Sequence, residues 1–382
     1  MKGIRWTTAG ESHGPALVGI LEGLPAGMAL DLERVDRELE RRQGGYGRGG
    51  RMRIETDRVE LLSGVRAGRT LGSPLAVRIP NKDSVIESLP VPGNPRPGHA
   101  DLAGCQKYTH RDPRAVLERA SARETAARVA LGGLARQLLE GFGVEIFAHV
   151  VSLGEVQVGE AAWERAGEAR SAVRDASELY CLDVECEAPM KAAVDRARQE
   201  RDSLGGVFEV RVLGLPPGLG GYASAPERLT SRLGAALFSI PAMKGVEFGL
   251  GFESARRPGS RVHDPIVPAL ERGPWGRFAR SSNHAGGLEG GMTNGEELLM
   301  RVAMKPIPSL KQGMPSVDFG TGEAVQATYQ RSDVTSVPAA SVVGEALVAL
   351  ELTAAFLEKF AGDSIDHVAS AFESYCARLQ EL

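Results

Sequence analysis

Lysine is scarce in this chain of 382 residues: there are eight, so that 37 of the 45 basic side chains are arginine. A guanidinium is a planar fork that grips phosphate or carboxylate through two parallel hydrogen bonds, whereas an ammonium is a point charge, so the imbalance suits anion recognition. A GC-rich genome would produce the same bias, and only local clustering separates the two explanations. Cysteine is also sparse. Cys105, Cys181, Cys186 and Cys376 have the spacing of neither a zinc site nor a disulfide framework; they read as reduced and structural, and no metal is implied. The N-terminus lacks a signal-peptide apolar core, and the longest apolar runs, such as residues 339–350, are interrupted by Ser, Gly and Glu before they reach bilayer length. No membrane span is expected, and a cytoplasmic location is the default. A net charge of −4 argues against a general nucleic-acid binder.

What is present is apolar mass and clustered charge. Hydrophobic residues make up 42%, enough at this length for one large domain or two ordinary ones. Residues 4–8 and 16–21 read as strands joined by a tight loop, Gly10-Glu11-Ser12-His13-Gly14. The loop spells G-x-S-x-G, a hydrolase elbow with Ser12 as nucleophile, but an elbow opens a helix and a β-prone run from Ala16 follows instead. Leu32, Val35 and Leu39 mark a helix over residues 31–42. It runs into RRQGGYGRGGRMR (residues 41–53), where Gly45, Gly47 and Gly50 match G-x-G-x-x-G without the preceding strand and following helix that a dinucleotide fingerprint needs. The segment reads as a flexible loop with Arg41, Arg42, Arg48, Arg51 and Arg53, expected to order over a multiply charged anion when ligand binds. A basic RNA-binding tail is the alternative, less suited to a folded segment.

The densest cluster is residues 96–128, RPGHADLAGCQKYTHRDPRAVLERASARETAAR, read as a Pro/Gly loop that becomes a long helix from Arg119, with Ser121, Arg123 and Thr125 on its first turns. Free N–H groups at a helix start, flanked by Arg and hydroxyls, make an anion cradle. VGILEGLPAG (18–27) and FEVRVLGLPPG (208–218) each read as a strand ending in Gly-Leu-Pro-x-Gly before a helix, a hint of duplicated halves packed as one unit. The strand at 298–304 delivers Lys305 and Ser309, the strand at 324–329 delivers Arg331 and Asp333, and helices over 339–360 and 364–379 close the chain. The fold class is α/β (α+β), with helices sandwiched between sheets.

Together the loops carry Arg42, Arg48, Arg96, Arg123, Lys305 and Arg331 with His13, His99 and Asp333. Many cations, two histidines and one carboxylate suit a polyanionic substrate that loses phosphate with proton transfer. Seven strings in order, GESHGPALVG, RRQGGYGRGGRM, RPGHADL, ERASARETAARVALGG, GGLEGGMTNG, MKPIPS and RSDVTSVPAA, closely resemble the chorismate synthase family.

That resemblance implies a single domain over 1–382, a β-α-β sandwich with a helical layer between antiparallel sheets and pseudo-repeated halves, assembled as a homotetramer (dimer of dimers). It implies anti-1,4-elimination of phosphate from 5-enolpyruvylshikimate 3-phosphate to give chorismate, the last step of the shikimate pathway of aromatic amino acid biosynthesis. Reduced FMN (FMNH2) is required, without net redox change. Carried over by motif, His13 and His99 are similar to the family's catalytic histidines, one serving the departing phosphate and the other the reduced flavin. Asp333 matches the carboxylate near flavin N5 that assists removal of the C6 hydrogen. Substrate anions fall to Arg42, Arg48, Arg96, Arg123 and Arg331. The flavin falls to Arg119, Ala120, Ser121, Pro241, Ala242, Gly290, Lys305, Pro306, Ile307, Pro308, Ser309 and Arg331. NADPH, in members that reduce their own flavin, falls to Arg42 and Arg48. The chain departs from the family pattern at Pro241 (Asn is common), Arg261 (Gln) and Ser309 (Thr), and Pro241 leaves only a backbone contact to flavin at that position. Of the other histidines, His110 is expected at the surface or behind the site, His284 is a candidate to border the flavin, and His149, His263 and His367 read as satisfied or solvated.

Overall fold

Gly-Leu-Pro-x-Gly ends a strand twice, and both copies are locked by the same device. The computed structural model describes residues 3–49, 54–329 and 333–382. In the first copy β1 (Arg5–Ala9) pairs antiparallel with β2 (Ala16–Glu22). Gly23 and Gly27 then turn the chain at φ 96° and 84°, a region costly for residues with a Cβ. Helix α1 (Leu32–Gln43) follows, its first turn capped by Asp31, which accepts from the Glu33 and Arg34 amides. In the second copy β7 (Glu145–Leu153) pairs antiparallel with β9 (Gly206–Leu213), Gly214 and Gly218 turn at φ 77° and 83°, and α8 (Leu229–Phe238) follows.

A buried threonine closes each turn. Thr70 Oγ1 donates to the Pro25 carbonyl at 2.6 Å and accepts from Met28 N at 3.0 Å; Thr293 Oγ1 donates to the Pro216 carbonyl at 2.7 Å and accepts from Leu219 N at 2.8 Å. Each sits in a short hairpin, β4 (Val65–Arg66) with β5 (Arg69–Thr70), and β13 (Leu288–Glu289) with β14 (Met292–Thr293). The hairpins lead into β6 (Leu75–Pro80) and β15 (Leu298–Met304), while β3 (Glu60–Ser63) and β10 (Met243–Phe248) complete the sheets. The strand orders are then β1-β2-β6-β3 and β7-β9-β15-β10, with β8 (Val156–Gln157) added beside β7. Every pairing in both sheets is antiparallel. The short Gly-Leu-Pro-x-Gly match thus marks a duplication of the whole unit.

Each unit ends in a long helix, α4 (Thr125–Glu140) and α9 (Val337–Lys359). Helix α4 lies on β2 and β6, α9 lies on β7 and β9, and the two face each other, so helices fill the space between two antiparallel sheets. Glycine sets the crossing: a Cβ on Gly132 would stand 2.4 Å from the Ala346 carbonyl oxygen. A single buried cluster runs from Leu17 and Leu21 through Leu131, Leu134 and Leu347 to Phe208 and Val210.

Helix α9 is long and apolar enough to cross a membrane, which corrects the expectation that Ser341, Gly344 and Glu345 break the run too early. It is instead the core helix, with 94% of its apolar window buried. Glu345 joins it to three neighbours, accepting from Ala148 N at 2.6 Å, Arg41 Nη1 at 2.8 Å and Arg174 Nη1 at 3.1 Å. Between β8 and β9 run α5 (Ala162–Ala166), α6 (Arg170–Ala176) and α7 (Val184–Gln199). Between β10 and β13 stands the hairpin β11 (Ile266–Gly273) and β12 (Gly276–Arg280). Helices α2 (Asp101–Tyr108) and α3 (Arg114–Ala120) precede α4, the hairpin β16 (Pro315–Val317) and β17 (Ala324–Gln326) precedes α9, and α10 (Ile365–Glu381) ends the chain.

Candidate active site

The segments that join β6 to α4 and β15 to α9 hold corresponding places in the two halves, and both open on one cleft of about 460 Å3. Its apolar wall includes Leu117, Ile240, Pro241, Ala242, Ile307, Pro308 and Ala339. Its polar lining includes His13, Arg42, Arg48, Arg96, His99, Arg114, Arg123, Lys305, Ser309, Asp333 and Ser336. Ala120 and Ser121 line it as well.

His13 is delivered by a turn that tolerates only glycine at its start: Gly10 has φ 104°, and a Cβ there would meet the Ala16 carbonyl at 2.3 Å. The ring is held from α3. Glu118 Oε2 accepts from the His13 amide at 2.9 Å, and Nδ1 lies 2.9 Å from Oε2 and 3.1 Å from Oε1. The Glu118 side chain is 1% exposed. Burial alone would push its carboxyl up, but hydrogen bonds and charge from His13, with Arg114, outweigh burial and hold it below the usual carboxylate range. His13 Nε2 stands 3.8 Å from Asp83 Oδ2. Ser12 is buried in this turn, and strand β2 follows it, so the elbow geometry of a hydrolase is absent.

His99 belongs to a second cluster. Asp101, the first residue of α2, accepts from His99 Nδ1 at 2.6 Å and from Arg96 Nε at 2.8 Å and Nη2 at 3.0 Å. Burial opposes ionisation of this carboxyl, yet the His99 and Arg96 hydrogen bonds carry it far below its ordinary value. Arg96 Nη1 also reaches Ser309 Oγ at 3.3 Å, joining the two halves of the cleft. Lys305 does the same by donating to the Gly98 carbonyl at 2.9 Å.

The helix expected from Arg119 in fact starts at Thr125. Residues 96–124 hold α2, α3 and a single 3-10 turn, and the chain breaks at Ser121 (φ −66°, ψ 141°), whose hydroxyl accepts from Arg123 N. Ser121 and Arg123 therefore precede the long helix, and α2 fills what read as loop.

Three arginines crowd one end of the cleft. Arg42, at the end of α1, donates from Nε to Thr125 Oγ1 and from Nη2 to the Ala122 carbonyl, both at 2.9 Å. Arg123 donates from Nη1 to both oxygens of Asp57 at 2.6 Å and from Nε to Asn81 Oδ1 at 2.9 Å. Arg48 Nη1 donates to Asp333 Oδ2 at 2.6 Å and to Ser336 Oγ at 2.9 Å. Burial above all, with the nearby charges of Arg123 and Arg48, pushes the Arg42 guanidinium down to about 10 against the opposing carboxylates of Asp57 and Glu124. An anion in the cleft would offset that repulsion.

The first part of the glycine-rich loop, expected to order over the site when ligand binds, is held by contacts of its own. Tyr46 OH donates to Asp195 at 2.9 Å, Tyr46 N to the Glu178 carbonyl at 2.7 Å, and Val334 N to the Gly47 carbonyl at 2.9 Å. Arg41 leaves the loop set altogether, turning into the core toward Glu345. Gly50, Arg51, Arg53 and Arg331 lie outside the described residues.

Not every expected residue reaches the cleft. Arg119 donates to the Thr8 and Gly10 carbonyls at the end of β1, Pro306 is absent from the lining, and Gly290 forms the β13–β14 turn. His284, the candidate to border the flavin, lines a separate depression with Val262 and Asp264. His110 is exposed, and His149 is a buried core histidine that meets Glu209 through Nε2 at 3.3 Å while its Nδ1 has no hydrogen-bond partner among the described residues. The sequence reading missed Glu118, Asp101, Asp57, Asn81, Arg114 and Ser336. Asp101 had a signal in the His99-Ala100-Asp101 string and Ser336 in its spacing from Asp333; Glu118 opens the ERASARETAARVALGG string, but nothing there ties it to His13, 105 positions away.

The chorismate synthase family model matches residues 4–357. The chain is 51% identical to the chorismate synthase of Trichlorobacter lovleyi, over 99% of this chain and 100% of that protein. It is 52% identical to that of Desulforudis audaxviator, over 99% and 98%. A crystal structure of chorismate synthase, 41% identical and covering 100% of both chains, superposes with a TM-score of 0.82. With sequence, family model and three-dimensional fold matching along essentially its whole length, this chain belongs to the chorismate synthase family.

Proposed function

We propose that this chain is a lyase of aromatic amino acid biosynthesis that converts 5-enolpyruvylshikimate 3-phosphate to chorismate by anti-1,4-elimination of phosphate, with reduced FMN held in the cleft. The observation that carries the reading is the convergence of His13, His99 and Asp333 on one apolar-walled, arginine-lined cleft. The wall of Ile240, Pro241, Ala242, Ile307 and Pro308 suits a flat ring, and Pro241 still offers its carbonyl. The cations of Arg48, Arg96 and Lys305 suit phosphate groups. Reduced flavin held against Ile240, Pro241, Ala242, Ile307 and Pro308 would supply electron density to the allylic system during loss of phosphate, with no net redox change.

The protein's own groups do the rest. Arg42, Arg48, Arg96 and Arg123 set a positive field for the substrate anions, in walls that exclude water and so strengthen it. His13 and His99 hold or deliver protons at ring nitrogens anchored by Glu118 and Asp101. Asp333, held by Arg48 and Ser336, assists removal of the C6 hydrogen. The proposal extends to NADPH at Arg42 and Arg48, to one domain over 1–382 in a cytoplasmic homotetramer built as a dimer of dimers, and to a flavin role for Gly290 and Arg331. Phe252, Ile266 and Phe278, each more than half exposed, support burial against other subunits.

The test is an anaerobic assay of phosphate and chorismate with photoreduced FMN. Turnover is expected only when the flavin is reduced; equal turnover with oxidised FMN, or with none, would overturn the reading. NADPH in place of light asks whether the chain reduces its own flavin, and light scattering gives the assembly state.

A further inference from the structure

Two contacts of different kinds end on the same buried carboxylate. Glu118 accepts from the His13 backbone amide and from the His13 ring nitrogen Nδ1, both at 2.9 Å to Oε2, and the neighbouring Ser12 amide donates to the Glu118 carbonyl at 3.0 Å. The turn and the ring are thus fixed to one residue of α3, which α3 holds 1% exposed.

An ionised carboxylate only accepts, so a ring nitrogen facing it must carry a proton. In the neutral imidazole the proton then sits on Nδ1 and Nε2 is bare; in the imidazolium Nε2 is a donor. Either way the nitrogen left to act is Nε2. The charged and titratable groups around the ring are Glu118 and, through it at 3.4 Å, Arg114 on α3; Asp83, 3.8 Å from Nε2 on the loop after β6; and Glu11, folded over Gly14 on the histidine's own turn. Arg114 is spent on Glu118 and on the Pro90 carbonyl, so the ring itself meets carboxylates. His99 differs, because Arg96 approaches its ring as closely as 2.9 Å beside Asp101.

We infer that Glu118 is the positioning residue of the reaction: it fixes His13 in the Nδ1–H form and turns Nε2 to the cleft. Glu118 touches no reacting atom and acts through His13. The inference rests on the functional reading above for its catalytic meaning, while the pairing itself can be measured without catalysis.

The experiment combines 15N NMR of the histidine side chains with steady-state kinetics on wild type, Glu118→Gln and Glu118→Asp. In wild type His13 should show the Nδ1–H form when neutral. In Glu118→Gln, whose amide can donate as well as accept, the pure Nδ1–H form should be lost. With it kcat should fall by on the order of 10²-fold or more, and KM should change little. Glu118→Asp, which keeps an acceptor-only carboxylate, should return both the Nδ1–H signature and part of kcat. An Nε2–H form in wild type would overturn the inference, and that spectrum needs no variant to fold. An unchanged tautomer in Glu118→Gln, or a loss of kcat that follows melting temperature with the Nδ1–H signature intact, would overturn it too. Full turnover by His13→Ala would instead sink the functional reading, with the wild-type tautomer still deciding the pairing.

Discussion

Seven histidines occur in the chain, and what separates them is the company each keeps. His13 and His99 both line the cleft and both present Nδ1 to a carboxylate that is nearly sealed from solvent. His110 has no such partner and is exposed at the end of α2. Turnover at saturating substrate and reduced FMN should therefore fall by roughly 10² to 10⁴ in His13→Ala and in His99→Ala, the range for losing a positioned acid or base, and stay near wild type in His110→Ala. Melting curves run alongside distinguish loss of chemistry from loss of an anchored turn. If His110→Ala were the most damaging and His99→Ala harmless, the motif-based roles would be wrong.

Among the elements, the most informative are the two threonine-locked turns. Thr70 and Thr293 are 3% and 4% exposed, and each hydroxyl both donates and accepts, so valine of nearly the same shape strands two backbone groups. Thr70→Val and Thr293→Val should each cost about 1–3 kcal/mol in denaturant unfolding, and by similar amounts; a large cost at one and none at the other would deny the equivalence of the halves. Half of this device was readable in advance. The strings GLPAG and GLPPG stand out because the turn needs glycine at positive φ, but their partners GRTLG and GMTNG share only Gly, Thr and Gly, and the bonds that join them span 45 and 77 positions. The same limit applies in the cleft. His99 and Asp101 were within one string, whereas the Arg123 pairing with Asp57 and the Glu118 hold on His13 exist only after strands and helices have assembled. Local pattern also carried no sign of what holds the first part of the glycine-rich loop: Tyr46 and Arg48 anchor it through contacts with Asp195 and Asp333 that no propensity encodes.

For the molecule as a whole, buried carboxylates set the acid limit. Glu209, on β9, would be raised by burial, but the hydrogen bond with His149 and the charge of Arg211 bring it down to about 2 from 4.5. Asp101, Glu118 and Glu345 are lowered too, against their burial. Because these groups are more acidic folded than unfolded, the stability they contribute is complete above the unfolded value and is lost as pH falls through the folded one. Glu209 alone contributes on the order of 3 kcal/mol, lost between about pH 4.5 and about pH 2. Glu297 and Glu351, raised by burial, act in the opposite sense but are fewer. Calorimetric melts should thus drop by several degrees from about pH 5 to about pH 3; a flat melting temperature there would count against these pairs. The duplication has a further consequence, for synthesis. Helix α4 is finished at Glu140, while α9, which covers its Gly132 face, ends at Lys359. At ordinary translation rates of about 5–20 residues per second, a complete first sheet waits on the order of ten to forty seconds with that helix face bare. Neighbouring ribosomes on one message hold identical waiting halves, each built to receive a near twin, so the pairing of first half with first half is the error that synthesis of this chain must outrun.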